Sequence, residues 1–120
     1  MSRVPSSLPP RAQALLYDVA TAATHIVEFT RDKTYEDFET DVLLRSAVER
    51  QFEIVGEAVA QLGRIDAELV GRITGAPRII AFRNILIHGY AAIRTNVVWD
   101  TVQSDLDQLR AEVAALLAAD

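Results

Sequence analysis

The 120-residue sequence predicts an all-α bundle of four to five helices. Three observations lead to this fold class. Apolar residues recur at spacings of three and four along most of the chain, prolines and glycines separate the periodic segments, and no alternating pattern long enough for a β-strand is present. The chain contains neither an internal repeat nor a linker-like segment. Residues 1–120 are therefore interpreted as one domain with its own core.

The first half of the chain predicts two long helices with a short turn between them. Helix 1 is expected from about residue 9 to 31, after a start rich in serine and proline. Thr34 and Asp37 follow at the spacing of a capping box, which marks a turn or a new helix start. A long amphipathic helix is expected from about 38 to 62, with Gly63 at its end. Its apolar stripe consists of Leu44, Val48, Phe52 (or Gln51), Val55, Val59 and Leu62.

The second half predicts one short and two longer helices. Asp66 can cap a short helix over AELVGRI. The sequence TGAP then breaks the chain, which places Pro77 at the first position of a helix that Gly89 ends. Asn96 can cap a last helix. The periodic apolar positions of this helix are Val98, Val102, Leu106, Leu109, Val113 and Leu116.

Composition narrows the function classes. There is no cysteine, which excludes disulfides, zinc–thiolate sites and thiol catalysis. The first residues lack the apolar region of a signal peptide, and no uncharged run approaches the ~18 residues of a membrane span, so a cytoplasmic location is expected. The net charge of −5 argues against a general nucleic-acid coat protein. Residues 64–94, however, carry five arginines against two carboxylates, and form a basic segment within an acidic chain.

This basic segment contains the stretch FRNILIHGY at residues 82–90, in which polar residues interrupt an apolar helix. A helical wheel places its polar residues opposite a core face. The polar residues are Arg83, Asn84 and His88, and the core face consists of Ile79, Phe82, Ile85 and Leu86. Ile80 and Ile87 lie within the polar arc, where a solvated face would not normally carry isoleucine. We therefore expect the polar face to be covered, either by the same chain or by a partner, and interpret it as the interface of a two-fold homodimer.

A purely structural interpretation of the same residues stays open. His88 would lie in the last helical turn, where an imidazole interacts with unpaired carbonyl groups and with the negative end of the helix dipole. Gly89 would cap the helix, and Tyr90 would pack back onto Ile85. Asn84 could satisfy a neighbouring backbone group. This interpretation requires no chemistry at the motif.

The alternative is that the motif is catalytic. Histidine is suited to proton transfer near neutral pH, and arginine offers a planar, charged fork for phosphate. A two-fold axis would double both groups, so one His88 could act as base and the other as acid on RNA. Arg83 would stabilise the charge that develops on the phosphate. The sequence has only two histidines and neither a metal-binding motif nor a phosphate-binding glycine loop, so we expect no metal and no cofactor.

Three other groups of residues have simpler explanations. His25 lies on the polar side of helix 1 and is expected at the surface. Glu53 and Glu57 are four residues apart, a spacing that could bind a cation, but their polar neighbours favour a solvated face. Trp99 is expected in the core rather than as a platform for base stacking.

The string RNILIHGY resembles the R-N-x-x-x-H-x-Y motif of HEPN domains, and more narrowly that of the HepT-like toxins. The likeness covers nearly the whole chain. HIVEFTRDKTYEDFETD resembles the end of the family's first helix and its turn, and APRIIAFRN resembles the approach to the motif. AVERQFEIVGEAV resembles the long helix with an Ile-Gly-Glu-Ala signature, here with valine at its first position. The resemblance implies an all-helical, homodimeric HEPN bundle that acts as a metal-independent endoribonuclease toxin.

The resemblance also implies a role for each motif residue. Arg83 and His88 correspond to the catalytic pair, and Asn84 to the residue that orients them. The implied partner is an MntA-like nucleotidyltransferase antitoxin, which would transfer AMP to Tyr90. Such an adenylate would block RNA sterically and repel its phosphates. Two other functions remain: a non-catalytic HEPN module that positions substrate for a partner nucleotidyltransferase, and a helical interaction protein whose motif sets dimer geometry.

Overall fold

The structure, a computed structural model, describes residues 8–88 and 95–119, and these residues form seven helices and no strand. The helices are α1 (Pro10–Thr30), α2 (Tyr35–Thr40), α3 (Val42–Ile65), α4 (Ala67–Val70), α5 (Ala76–His88), α6 (Thr95–Ser104) and α7 (Leu106–Ala118). The predicted all-α class is confirmed. There are more helices than the four to five expected because two predicted helices are each divided in two.

The first division lies at Asp41, within the segment predicted as one helix from 38 to 62. The predicted capping box is confirmed: the Asp37 N–H donates to Thr34 Oγ1 at 3.1 Å, and the Thr34 N–H donates to Asp37 Oδ2 at 2.9 Å. This capping box begins the short helix α2, which ends at Thr40 and is followed by Asp41 in extended backbone. The Asp41 carboxylate then accepts from the Leu44 N–H at 3.1 Å and starts α3. An aspartate that caps a helix with its side chain explains the break.

The expected helix end at Gly63 is wrong by two residues, since α3 continues to Ile65. Helical hydrogen bonding persists past the glycine, because the Asp66 N–H donates to the Leu62 carbonyl at 2.8 Å. Asp66 then caps α4, as predicted, by accepting from the Leu69 N–H at 2.9 Å.

The second division lies at Asp105, which separates α6 from α7 in the segment predicted as one last helix. Asp105 has φ −108°, and its carboxylate accepts a hydrogen bond from Arg78 of α5 at 3.0 Å. Asn96 is not a cap, since it lies in the first turn of α6. Helix α5 begins at Ala76, so Pro77 occupies its second position, and Gly89 lies outside the described residues.

The core forms on both sides of α3, which packs against α1 and α5. Every residue of its predicted apolar stripe is buried. Trp99 is half-buried against Phe38, with ring centroids 5.2 Å apart, so its expected place in the core is confirmed. Across residues 8–88 and 95–119, no helix combines the length and apolar character needed to cross a membrane. The central position of α3 brings its side chains against the motif on α5.

Candidate active site

Helix α5, which carries the motif, is only partly covered by the rest of the chain. Ala76 is the single buried residue in the helix Ala76–His88. Phe82 and Leu86 are half-buried against the core, as the wheel predicted. Ile85 was expected on the same core face but is 41% exposed, because it lies over an open apolar groove between α5 and α6. Ile87, in the polar arc, is 50% exposed.

Arg83 lies directly against the backbone of α3 at Gly56. A Cβ atom built on Gly56 would lie 2.2 Å from the Arg83 Cβ and 2.6 Å from its Cγ. Real Cβ atoms do not approach other atoms this closely, so only glycine lets the two helices meet here. The stem of Arg83 is therefore held against α3 at a defined position.

The Arg83 guanidinium is held by two side chains. Its Nη2 donates to Glu57 Oε1 in an ion pair, and its Nη1 donates to Asn84 Oδ1 at 2.6 Å. The Arg83 side chain is only 22% exposed, and its Nε is buried with no hydrogen-bond partner among the described residues. A guanidinium carries five N–H donors. Two further donors are thus not assigned to any contact within the described part of the chain.

Glu57 belongs to this site rather than to the solvated face that its sequence neighbours suggested. Besides Arg83, its carboxylate accepts from Gln61 Nε2 at 2.9 Å and lies 3.7 Å from Arg64 Nη2. The Gln61 hydrogen bond is the largest cause lowering the pKa of Glu57, and Arg83 and Arg64 lower it further against partial burial. Glu57 is therefore ionised at neutral pH. The one sequence signal for this role is Gly56 beside it, since a glycine inside a helix indicates a close contact.

Glu53, the other member of the acidic pair, does not approach Arg83 in this way. It accepts from Arg50 at 3.2 Å across one turn of α3, and the Arg50 side chain is 67% exposed. The solvated-face interpretation therefore holds for Arg50, whereas the Glu53 side chain is half-buried, at 26% exposed. No group of three or more histidine, aspartate or glutamate side chains within the described residues could hold a metal ion.

His88 is the last described residue of α5 and is exposed. A separation of five residues places it about 7.5 Å along the helix from Arg83 and about 140° around the axis. The structure thus brings Arg83 and Asn84 into contact, and on an ideal helix His88 lies farther around the same polar arc than Asn84. Tyr90, the expected site of modification, lies outside the described residues.

His25, which was expected at the surface, is half-buried where α1 contacts α3. Its Nδ1 lies 3.3 Å from Gln51 Oε1, and its ring stacks on Phe29 with a centroid distance of 5.9 Å. These contacts give His25 a structural role in joining the two helices.

Residues 19–116 match a family described as Ribonuclease HepT-like. The chain belongs to the HepT-like ribonuclease family. This confirms the resemblance to HepT-like HEPN domains and the expected enzyme class, an endoribonuclease. The match begins within α1 and extends through most of α7, so the HepT-like region contains the whole of α3 and α5.

Individual relatives of this HepT-like chain agree with the family. A protein of Thermococcus cleftensis named "Probable ribonuclease HepT" is 34% identical over 105 residues, which cover 84% of this chain and 91% of the relative. Two Methanocaldococcus jannaschii proteins named as candidate RNases are 34% and 29% identical. Their alignments cover 84% and 88% of this chain, and 92% and 90% of the relatives. No solved structure matches the HepT-like chain.

Proposed function

We propose that this chain is the toxin of a HepT/MntA-type toxin–antitoxin pair and cleaves RNA without metal at a site shared by two protomers. Arg83 and His88 are the catalytic residues of this proposal, and Asn84 orients Arg83. The observation that carries it is the clamped guanidinium of Arg83, with Glu57 on Nη2 and Asn84 on Nη1.

A clamped guanidinium suits transition-state stabilisation. The two contacts hold Arg83 in one orientation before substrate binds, so little reorganisation is needed during the reaction. Its unassigned Nη donors can then bind two oxygens of one phosphate, in the forked geometry that arginine and phosphate favour. Charge that develops on the phosphate would meet a donor already in place.

A second protomer would bring the arginine and the histidine of the proposed site to the same phosphate. Arg83 and His88 of one chain are about 140° apart around α5. Arg83 of one chain and His88 of the other would therefore reach one phosphate more readily than the two residues of a single chain. Ile87, in the same arc as His88, leaves half of its surface exposed and would be covered by a partner helix. An isologous contact would place two arginines and two histidines around one cleft.

The proposed reaction uses the RNA itself as nucleophile. One His88 imidazole accepts the proton of the ribose 2′-hydroxyl, and the 2′-oxygen attacks the adjacent phosphorus. The bond from phosphorus to the 5′-oxygen breaks, and the His88 of the other protomer donates a proton to that oxygen. The products are a 2′,3′-cyclic phosphate and a 5′-hydroxyl end. No water or metal enters this step.

The proposed antitoxin is an MntA-like nucleotidyltransferase that transfers AMP to Tyr90. The Tyr90 oxygen would attack the α-phosphorus of ATP, and pyrophosphate would leave. Tyr90 follows His88 by two residues in the sequence, so the adenylate would lie next to the cleft. Its bulk and negative charge would oppose the binding of an RNA phosphate.

The test is RNA cleavage by the purified full chain in EDTA. We expect cleavage by the wild type, and its loss in Arg83→Ala and in His88→Ala. Arg78→Ala is the matched control, since Arg78 lies on the same helix but pairs with Asp105 instead. Full cleavage by both motif variants would overturn the proposed site. Inactive wild-type protein on which a partner nucleotidyltransferase depends would instead favour the non-catalytic module.

The antitoxin step is tested separately by intact mass. Co-expression with the partner nucleotidyltransferase should add one or more units of about 329 Da, mapped to Tyr90. Unmodified Tyr90 in the presence of an active nucleotidyltransferase would contradict this part of the proposal.

A further inference from the structure

We propose that Gln61, oriented by Arg11, is a positioning residue for the Arg83 guanidinium and acts on it through Glu57. This inference rests on the proposed ribonuclease site, which it extends from α5 and α3 to the first turn of α1. Neither Gln61 nor Arg11 belongs to the motif.

A continuous series of hydrogen bonds connects the three helices. Arg11 Nη2 of α1 donates to Gln61 Oε1, and Gln61 Nε2 donates to Glu57 Oε2 at 2.9 Å. The other carboxylate oxygen of Glu57 accepts from Arg83. Glu57 thus has one oxygen toward the arginine of the motif and the other toward Gln61.

The chemistry of these groups allows only one orientation of the Gln61 amide. Arginine can only donate hydrogen bonds, and an ionised carboxylate can only accept them. The amide carbonyl must therefore face Arg11 and the amide NH₂ must face Glu57, as the structure has them. Arg11 in this way determines that Gln61 presents a donor to Glu57.

Glu57 needs this second contact because its side chain is 40% exposed and Arg64 lies 3.7 Å from Oε2. Without Gln61, the carboxylate could rotate toward Arg64 or toward water. Arg83 would then be oriented by Asn84 alone, because its Nε has no partner among the described residues. A small displacement of a catalytic group is enough to slow a reaction substantially.

Gln51 provides a matched control for Gln61. Both glutamines are on α3 and both contact a side chain of α1, since Gln51 lies 3.3 Å from the His25 ring. Only Gln61 contacts Glu57. If RNA cleavage required contacts between α1 and α3 in general, substitution of either glutamine would reduce it. If Gln61 positions Arg83, only the substitution of Gln61 would reduce it.

The first measurement is steady-state cleavage of a defined RNA by the full chain in EDTA. We expect Gln61→Leu to lower kcat about tenfold and to change KM less than about twofold, because the arginine is misplaced rather than removed. Gln51→Leu should change both constants less than about twofold. In a Glu57→Gln background, Gln61→Leu should have little further effect, because residues that act through one another are not additive. An additive loss would overturn the inference.

The second measurement does not depend on activity: the ¹H–¹⁵N resonance of Arg83 Nε and its exchange with solvent. We expect faster exchange and broadening in Gln61→Leu but not in Gln51→Leu. An unchanged Arg83 resonance in Gln61→Leu overturns the inference whether or not RNA is cleaved. If the resonance changes as expected while the wild type cleaves no RNA, positioning stands and the proposed ribonuclease site fails. Arg11→Leu, at an exposed residue, provides the same comparison if Gln61→Leu does not fold.

Discussion

Gly56 of α3 leaves the space that the side chain of Arg83 of α5 occupies: a Cβ atom on Gly56 would lie 2.2 Å from the Arg83 Cβ. Two positions more than twenty residues apart therefore depend on each other sterically. The contact brings the arginine of the motif to the helix that carries Glu57, so that the backbone of α3 and the ion pair together define where the guanidinium lies.

We expect Gly56→Ala to push α5 away from α3 and to lower the free energy of unfolding by about 1–3 kcal/mol, as overpacking does. RNA cleavage should fall with it, because Arg83 would lose its position beside Glu57. Gly63→Ala is the control on the same helix, where the added Cβ would meet Val70 Cγ1 at an ordinary 3.6 Å. The free energy of unfolding of this control should rise by about 0.5–1 kcal/mol, because alanine has a higher helix propensity than glycine. Urea unfolding measures both, and equal stabilisation by the two alanines would contradict the predicted clash.

Glu57 should make folding stability depend on pH in the acidic range. Its pKa is lowered in the folded state, first by the Gln61 hydrogen bond, from an ordinary value of 4.5. Its contribution to stability is therefore fully present above that value and is lost as the pH falls through the lower folded pKa. We expect Glu57→Gln to be less stable than wild type at pH 7, with the difference shrinking toward pH 3. Free energies of unfolding of the two proteins between pH 3 and pH 7 measure this difference. A difference that stays constant with pH would contradict the pairing of Glu57 with Gln61 and Arg83.

Glu49 should destabilise the folded protein at neutral pH, whereas Glu57 stabilises it. Partial burial raises its pKa, and Glu53 adds to this while Arg45 opposes it. The charged form is thus disfavoured by folding, and its cost disappears as the pH falls through the raised folded pKa. We expect Glu49→Gln to raise the melting temperature slightly at pH 7, and less so near pH 4. Loss of stability in Glu49→Gln at pH 7 would contradict this assignment.

Asp37→Asn, at a carboxylate whose pKa is lowered by the hydrogen bonds with Thr34, should reduce the melting temperature at pH 7.

The proposed dimer predicts that Ile87→Asn weakens self-association at least about tenfold, because the substitution places a polar amide in an apolar contact. RNA cleavage should decrease in parallel, since the proposed site needs two protomers. Leu43→Asn is the control: Leu43 is 80% exposed at the start of α3, away from the motif helix in sequence. Sedimentation equilibrium distinguishes the two variants. A tight dimer that persists in Ile87→Asn would place the interface elsewhere.

The sequence by itself determined the features that depend on near neighbours in the chain. The helical class, the Thr34–Asp37 capping box and the Asp66 cap all follow from residues within a few positions of each other. The stripe of α3 was also predictable, because burial repeats with the helical period. The motif around Arg83 and His88 was recognisable for the same reason: its spacing is local.

The tertiary structure alone decided which side chains meet across helices. Glu57 looks like part of a solvated face until α5 brings Arg83 against it, and Ile85 looks like a core residue until the groove beside α6 leaves it exposed. Gln61 acquires its proposed role only because α1 places Arg11 next to it. Helical periodicity specifies the direction in which a side chain points from its own axis. The residue that it contacts depends on the packing of helices that are distant in sequence.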